Sequence, residues 1–214
     1  MRAAEGAIVP VGKVRADAGY NFDPKASIPA VVGYYTAPNG QMLSFPLNSS
    51  TTVLNFNKDA FRKAGLDPNK PPQTWPELAL AAAKLKASGH ACPFTTSWQS
   101  WTQLESFSTW HNTLFATENN GFGGPKARLA ITTPLHERHL NNLLNWSKNG
   151  LFVYPGRTTQ GDAKFYSGEC AMLFESSGGR AGVLQNATFS VGFGMQPYSD
   201  DVPGAPQNSI RSKH

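Results

Sequence analysis

The sequence predicts an α/β fold, and three observations predict it. Beyond residue 50, short runs of β-branched and aromatic residues alternate with segments of helical period, the order that builds a sheet covered by helices. Asn57 and Thr74 each stand just before such a helical segment, where a side-chain oxygen can accept from the first free N–H groups. Cys170 to Gly182, CAMLFESSGGRAG, reads as a strand, a small polar turn and a helix start in direct succession.

The elements follow in order. Residues 1 to about 27 show no strong period. Ile28 to Thr36 is predicted as a strand from its β-branched and aromatic residues. Pro38-Asn39-Gly40 is a hairpin-type turn, and Gln41 to Pro46 returns as a second strand. Asn48 to Thr52 is a run of small polar residues ahead of a strand over Val53–Phe56. Asn57 caps a short helix, Lys58–Ala64, that stops at Gly65. Thr74, Pro76 and Glu77 open the clearest helix, with Trp75, Leu78, Ala82 and Leu85 on one face and Gly89 at its end. His90–Thr96 is a strand. A helix is expected from about Thr102, a loop over Asn119–Pro125, and a further helix from Thr133-Pro134 to Lys148. A short helix over Asp162–Tyr166 and a turn at Ser167-Gly168-Glu169 lead into the strand at Ala171–Phe174. A helix over Arg180–Asn186, a strand over Phe189–Met195 and a loop-like tail complete the chain.

Composition narrows the classes. The 214 residues are enough for one sizeable core or one and a half domains. Lys and Arg number 19 against 14 Asp and Glu, a net charge of +5 that is scattered rather than run together, so no nucleic-acid arm is expected. No stretch approaches the apolar length of a membrane span, and MRAAEGAIVPVGKVRADAG has no apolar core, so no signal peptide is expected. Two cysteines, Cys92 and Cys170, suit either one disulfide or two buried thiols, and without CxxC or a histidine cluster they do not suggest zinc.

The turn Ser176-Ser177-Gly178-Gly179 is the first candidate site. Serine hydroxyls and glycine backbone at a helix start can approach an oxyanion, although an ordinary strand-to-helix connection uses the same residues. Asn48–Thr52 offers a second hydroxyl-rich segment. Trp98 and Trp101 stand in a polar context at a strand end, where ligand sites of α/β folds lie. A serine hydrolase with Ser176 as nucleophile is the enzymatic alternative, but Phe174-Glu175-Ser176-Ser177-Gly178 lacks the first glycine of GxSxG. No phosphate-binding GxxxxGK[ST] exists. Glu105, Glu118, Glu169 and Glu175 leave a glycosidase pair open, none of them in a distinctive motif. His136 and His139 lie three apart on a predicted helix without the HExxH pattern and are expected to be solvated. A cytosolic interaction domain with no small ligand is the third reading.

Several longer stretches carry a resemblance. They are FPLNSSTTVLNFNKDAFRKAGLDPNKPPQTW (45–75), AAKLKASG (82–89), WQSWTQLESFSTW (98–110), NNGF (119–122), KFYSGECAM (164–172), ESSGG (175–179), VGFGMQPY (191–198) and APQN (205–208). In this order and spacing the chain resembles the extracytoplasmic substrate-binding proteins of ABC importers for sn-glycerol-3-phosphate, from about Ala4 to Asn208. The resemblance implies a periplasmic-binding-protein-like type II fold of two α/β lobes joined by hinge strands. It implies a division into a partial first-lobe segment over 1–48, a second lobe over 49–192, and a return hinge and tail over 193–214. It implies that Ser50 and Ser176 contact the phosphate end of the ligand and that Trp98 and Trp101 line the glycerol side. The ligand implied is sn-glycerol-3-phosphate or a glycerophosphodiester, bound without catalysis, cofactor or metal. The partners implied are permease subunits in the membrane, with a monomeric binding protein in the periplasm. Family members also carry cysteines at Cys92 and Cys170, which implies a bridge. They are longer at both ends, so this chain is expected to be a fragment with impaired binding.

Overall fold

The computed structural model describes residues 8–20, 23, 26–37, 39–46 and 49–207. The chain divides into two units, Ser50–Thr113 with Ile131–Gln207, and Met1–Ser49 with Leu114–Ala130 and Asn208–His214.

The smaller unit holds helix α1 (Val11–Asp17) and helix α2 (Pro29–Tyr34). The predicted strand at Ile28–Thr36 is therefore a helix. Pro29 sits at its first position, where a fixed φ and a missing N–H cost nothing, and Ile28 before it is extended. The second predicted strand is reduced to one bridge, Thr36 with Met42, closed around Gly40 at φ 82°. Pro38, Asn48 and the tail from 208 lie outside the described residues. The expected loop near residue 119 is a tight turn, α6 (Thr117–Asn120), with φ near +50° at Glu118, Asn119 and Asn120.

The larger unit is built on strands β1 (Thr52–Asn57), β2 (Cys92–Thr96), β3 (Phe152–Val153), β4 (Cys170–Ser176) and β5 (Val191–Met195). They form one sheet in the order β3-β2-β4-β1-β5. β1 pairs antiparallel with both β4 and β5, while β2 is parallel to β3 and β4, so β1 alone runs against the rest. Helices α3 (Lys58–Lys63), α4 (Trp75–Ala87), α5 (Ser106–Trp110), α7 (Pro134–Lys148), α8 (Gln160–Tyr166) and α9 (Arg180–Asn186) connect them. Asn57 caps α3 by accepting from the N–H groups of Asp59 and Ala60. Thr74 caps α4, and Glu77 reaches back to the N–H of Gln73, one residue beyond the usual capping-box partner.

Both faces of the sheet are covered, which is why the run Ala171–Phe174 is buried without alternation. Met172 and Phe174 join Leu54, Phe56, Trp75, Leu78, Phe94 and Phe107 in the main core. Leu173 points the other way, into a second cluster with Phe165 and Val183. Gly192 is required by close packing, since a Cβ there would stand 2.1 Å from the Phe56 ring.

His136 and His139 are buried, at 0% and 3% exposure, and not solvated. The expectation failed because α7 turns this face onto α5 and α4. His139 stacks on Phe107 at 3.9 Å and donates from Nε2 to Gln103 Oε1, 3.1 Å away. His136 bonds Ser108 through Nε2 and Thr133 through Nδ1. No group of three or more potential metal ligands occurs among the described residues, nor does any helix long and apolar enough to cross a membrane.

Cys92 and Cys170 face each other on the parallel strands β2 and β4 and are disulfide-bonded, with Cα atoms 4.5 Å apart. The bridge closes a loop spanning 78 positions. Replacing both cysteines by alanine is expected to lower the unfolding free energy by about 4 kcal/mol in the chain-entropy account. Urea denaturation of the oxidised chain and the double variant measures this. Superimposed curves would contradict it.

Candidate functional site

The site is built at one end of the sheet. The parallel strands β2 and β4 finish there, and the antiparallel β1 begins there, with Thr52 opposite Ser176 and Thr96 opposite Phe174. The Ser97 N–H donates to the Phe174 carbonyl at 2.9 Å and carries the β2–β4 pairing one step further. Carboxyl ends of parallel strands are the usual place for a ligand in such sheets.

Two serines converge at this end. Ser176 finishes β4 and caps the short 3₁₀ turn Ser177–Gly179, its Oγ accepting from the Gly178 N–H at 3.0 Å. Ser177 donates its N–H to the Thr51 carbonyl at 2.8 Å and accepts the Thr51 N–H on its Oγ at 3.1 Å. This double contact pins the chain before β1 against the turn and brings Ser50 in. A Cβ built on Gly178 would lie 3.2 Å from Ser50 Oγ and 3.2 Å from Ser176 Oγ, so the two hydroxyls flank the bare Cα of Gly178. The N–H groups of Ser177 and Gly178 are already used internally. What the turn offers an anion is hydroxyl hydrogen.

Trp98 follows β2 directly. Its backbone is left-handed at φ 50°, its N–H donates to the Thr158 carbonyl at 2.9 Å, and the residue is 41% exposed. Trp101, half-buried, opens a wide π-type turn, Trp101–Glu105, in place of the expected α-helical start. That turn is anchored from inside: the buried Thr102 hydroxyl meets Thr96 Oγ1 at 2.9 Å, and Gln196 donates to the Thr102 carbonyl. The structure thus brings Ser50 and Ser176 together and sets Trp98 on the neighbouring strand end. Trp101 lies three residues further on the same segment. A hollow of about 240 Å³ beside that segment, lined by Gln99, Gln103, Leu140 and Phe152, contains none of the four.

Behind the turn is a feature the sequence did not single out. Glu175 is 3% exposed and accepts the Ser176 N–H on Oε1 at 2.6 Å. Burial, then the neighbouring carboxyl of Asp162, push the Glu175 carboxyl up to about 8. Asp162 Oδ1 accepts from the Ser97 hydroxyl at 2.6 Å. Glu175 was one of four glutamates without a motif. Its pairing with a residue 13 positions away on another element leaves no periodic trace.

The arrangement gives no support to a Ser176 nucleophile. The Ser176 hydroxyl is engaged by the Gly178 N–H, and the buried histidines bond elsewhere, His111 to the Phe107 carbonyl and the Ser199 N–H.

The ionisable groups make stability depend on pH in two directions. Burial lowers His139 to about 3 and His111 to about 4, and lowers His136 as well. Unfolded histidines take up protons near 6.5, before the folded ones, so stability is complete above that pH and falls as the pH drops below it. Glu175 acts oppositely: its folded carboxyl keeps the proton that the unfolded chain releases near 4.5, so its contribution is lost as the pH rises toward 8. His90 is lowered and Glu105 raised in the same way, and below 6.5 the four histidines outweigh the two glutamates. The urea midpoint is expected to be highest at about pH 6.5 and lower at about pH 4.5 and pH 8.5; a steady rise or fall across that range would refute this assignment.

Residues 1–209 match the family model of bacterial extracellular solute-binding proteins. The chain is 51% identical over 208 residues to the sn-glycerol-3-phosphate-binding periplasmic protein UgpB of Salmonella typhimurium, covering 97% of this chain and 48% of the relative. It is 48% identical over 211 residues to the protein of the same name from Brucella abortus, covering 98% and 48%. Among solved structures, UgpB from Mycobacterium tuberculosis in complex with glycerophosphocholine superposes with a TM-score of 0.70 at 23% identity, covering 94% of this chain and 50% of that one. The maltose-maltodextrin binding protein of Alicyclobacillus acidocaldarius gives 0.68 at 18%, covering 94% and 49%. The expected α/β fold of the periplasmic binding proteins is therefore observed. The chain spans about half the length of the curated relatives it matches.

Proposed function

The chain belongs to the bacterial extracellular solute-binding protein family, and on that premise we propose that it is the substrate-binding part of an ABC importer. The ligand is sn-glycerol-3-phosphate or a glycerophosphodiester, bound and released unchanged. The binding protein works as a monomer in the periplasm and delivers its ligand to permease subunits in the membrane. Within the chain, residues 1–48 are a first-lobe segment, 49–192 the second lobe and 193–214 the return to the hinge.

The observation that carries the reading is the convergence of Ser50 and Ser176 on Gly178 at the sheet end. Two hydroxyls side by side suit two oxygens of one phosphate, and a hydrogen bond to a charged group is worth about 1.5–3 kcal/mol. Trp98, exposed on the adjacent strand end, and Trp101 offer faces for the C–H surface of glycerol. The names of relatives near 50% identity supply the ligand class.

Neutral hydroxyl donors lack the strength of a bidentate arginine contact. The 214-residue chain is therefore expected to bind sn-glycerol-3-phosphate and glycerophosphocholine with a dissociation constant of about millimolar, near −4 kcal/mol. Ser50→Ala and Ser176→Ala should each weaken binding by roughly tenfold. Gly178→Ala, which sets a methyl between the hydroxyls, should do the same while the thermal midpoint stays close to that of the parent. Calorimetric or NMR titration reads all three. Binding that ignores every one of these substitutions would sink the proposal.

A further inference from the structure

The buried Glu175 and the half-buried Asp162 lie behind the serine turn and touch both ligand-facing segments. Glu175 Oε1 holds the Ser176 N–H at 2.6 Å. Its Oε2 is buried and receives no hydrogen bond from the described residues. Asp162, on α8, and Ser97, at the end of β2, face the same carboxyl. Ser97 donates to Asp162 at 2.6 Å, and Gly161 allows α8 to come this close, since a Cβ there would meet Ser97 Oγ at 2.8 Å.

The other groups around the pair are accounted for. Tyr166, also on α8, lies near enough for both carboxylates to act on its hydroxyl. From the turn, Gly179 packs its backbone against the Glu175 side chain. From β1, the residue paired with Glu175 is Val53. Arg180, at the start of α9, lies over the Phe193 ring, 5.2 Å from its centroid. The groups acting on Glu175 are Asp162, Ser97 and the Ser176 N–H, and none of these is a cation.

We propose that Glu175 and Asp162 hold one proton between them and act as positioning residues, joining the Ser176 turn to the Trp98 corner through Ser97. Two ionised carboxyls here would repel each other in a dry site and leave Oε2 without a donor. One proton on Oε2 removes both faults: it becomes the donor to Asp162, whose charge is also met by the Ser97 hydroxyl. The connected path is then Ser176 N–H, Glu175, Asp162, Ser97 and the left-handed Trp98 that follows it. Loss of the shared proton sets a second negative charge one residue behind the Ser176 hydroxyl. Anion binding at Ser50 and Ser176 therefore weakens as that proton leaves.

The proton pair is argued from the Ser97–Asp162 bond, the unpartnered Oε2 of Glu175 and the action of Asp162 on it, whereas its effect on an anion rests on the solute-binding reading, so the test has two arms. Infrared spectra of the full chain and of Glu175→Gln at about pH 7 are expected to differ by one protonated-carboxyl C=O band that disappears on raising the pH. In Asp162→Asn the same band should disappear at lower pH. A parent without the band, or a titration that Asp162→Asn does not move, overturns the pair. The second arm titrates glycerophosphocholine, whose phosphodiester is a monoanion throughout, at about pH 6 and about pH 9. Parent affinity should drop roughly tenfold between them, and Glu175→Gln, carrying a neutral amide of the same shape, should show no such drop. Identical pH profiles for the two proteins overturn the positioning role. Absence of binding at either pH overturns the solute-binding reading and the anion half of this proposal with it, while the infrared arm still decides the pair.

Discussion

The larger unit depends on the register of β4. This strand is hydrogen-bonded on both sides, antiparallel to β1 and parallel to β2. Because side chains alternate across a strand, a slip of one residue would send Leu173 and Phe174 to the wrong cores. The same slip would part Ser176 from Thr52 and carry Ser50 away from Gly178. The register is pinned covalently where β2 and β4 begin, by Cys92 and Cys170. Where they end, at Ser97 and Ser176, the register is held by hydrogen bonds alone, the Ser97 N–H on the Phe174 carbonyl among them. One end of the pair is a staple, and the other holds the candidate site.

Hydrogen-bond accounting then decides what kind of contact that end can make. A strand-to-helix turn of small residues has the look of a backbone cradle for an anion. Here Thr51 occupies the Ser177 N–H, and Ser176 Oγ occupies that of Gly178. Those contacts hold Ser50 in place, and they remove backbone donors from the surface. Ser176 Oγ acts as an acceptor toward Gly178, which leaves its own hydrogen free to donate outward. The site is thus a pair of hydroxyls on a rigid support.

Local signals in the sequence were legible where the physics is local. Asn57 and Thr74 cap the helices they precede, because a cap acts within three residues. The Ser176 turn, the Asn48–Thr52 run, Trp98 and Trp101 were candidates from local pattern, but their roles as one site came from resemblance, as no spacing rule links positions so far apart. Ile28–Thr36 failed because β-branched content outweighed Pro29, whose fixed φ starts a helix. His136 and His139 failed because their surroundings come from elsewhere in the chain: Trp75 and Phe107 supply aromatic faces, and Gln103 and Ser108 supply hydrogen bonds. The pairing of Glu175 with Asp162 likewise exists only once α8 packs on β4.

Two residues at this sheet end break ordinary local rules, and they are joined. A non-glycine residue at φ 50° is strained by about 1–3 kcal/mol, and a glycine at position 98 would remove that cost. A buried carboxyl without a cation is disfavoured, and an apolar residue at position 175 would pack in its place. A connection selected only for stability has no use for either. Both adjoin a candidate ligand residue or are one, and Ser97, which precedes Trp98, donates to the Asp162 carboxyl that acts on Glu175. Departures from local preference concentrate where a fold serves something other than its own stability. Their coincidence at the open end of β2 and β4, away from the disulfide, is the physical argument that this end carries the function.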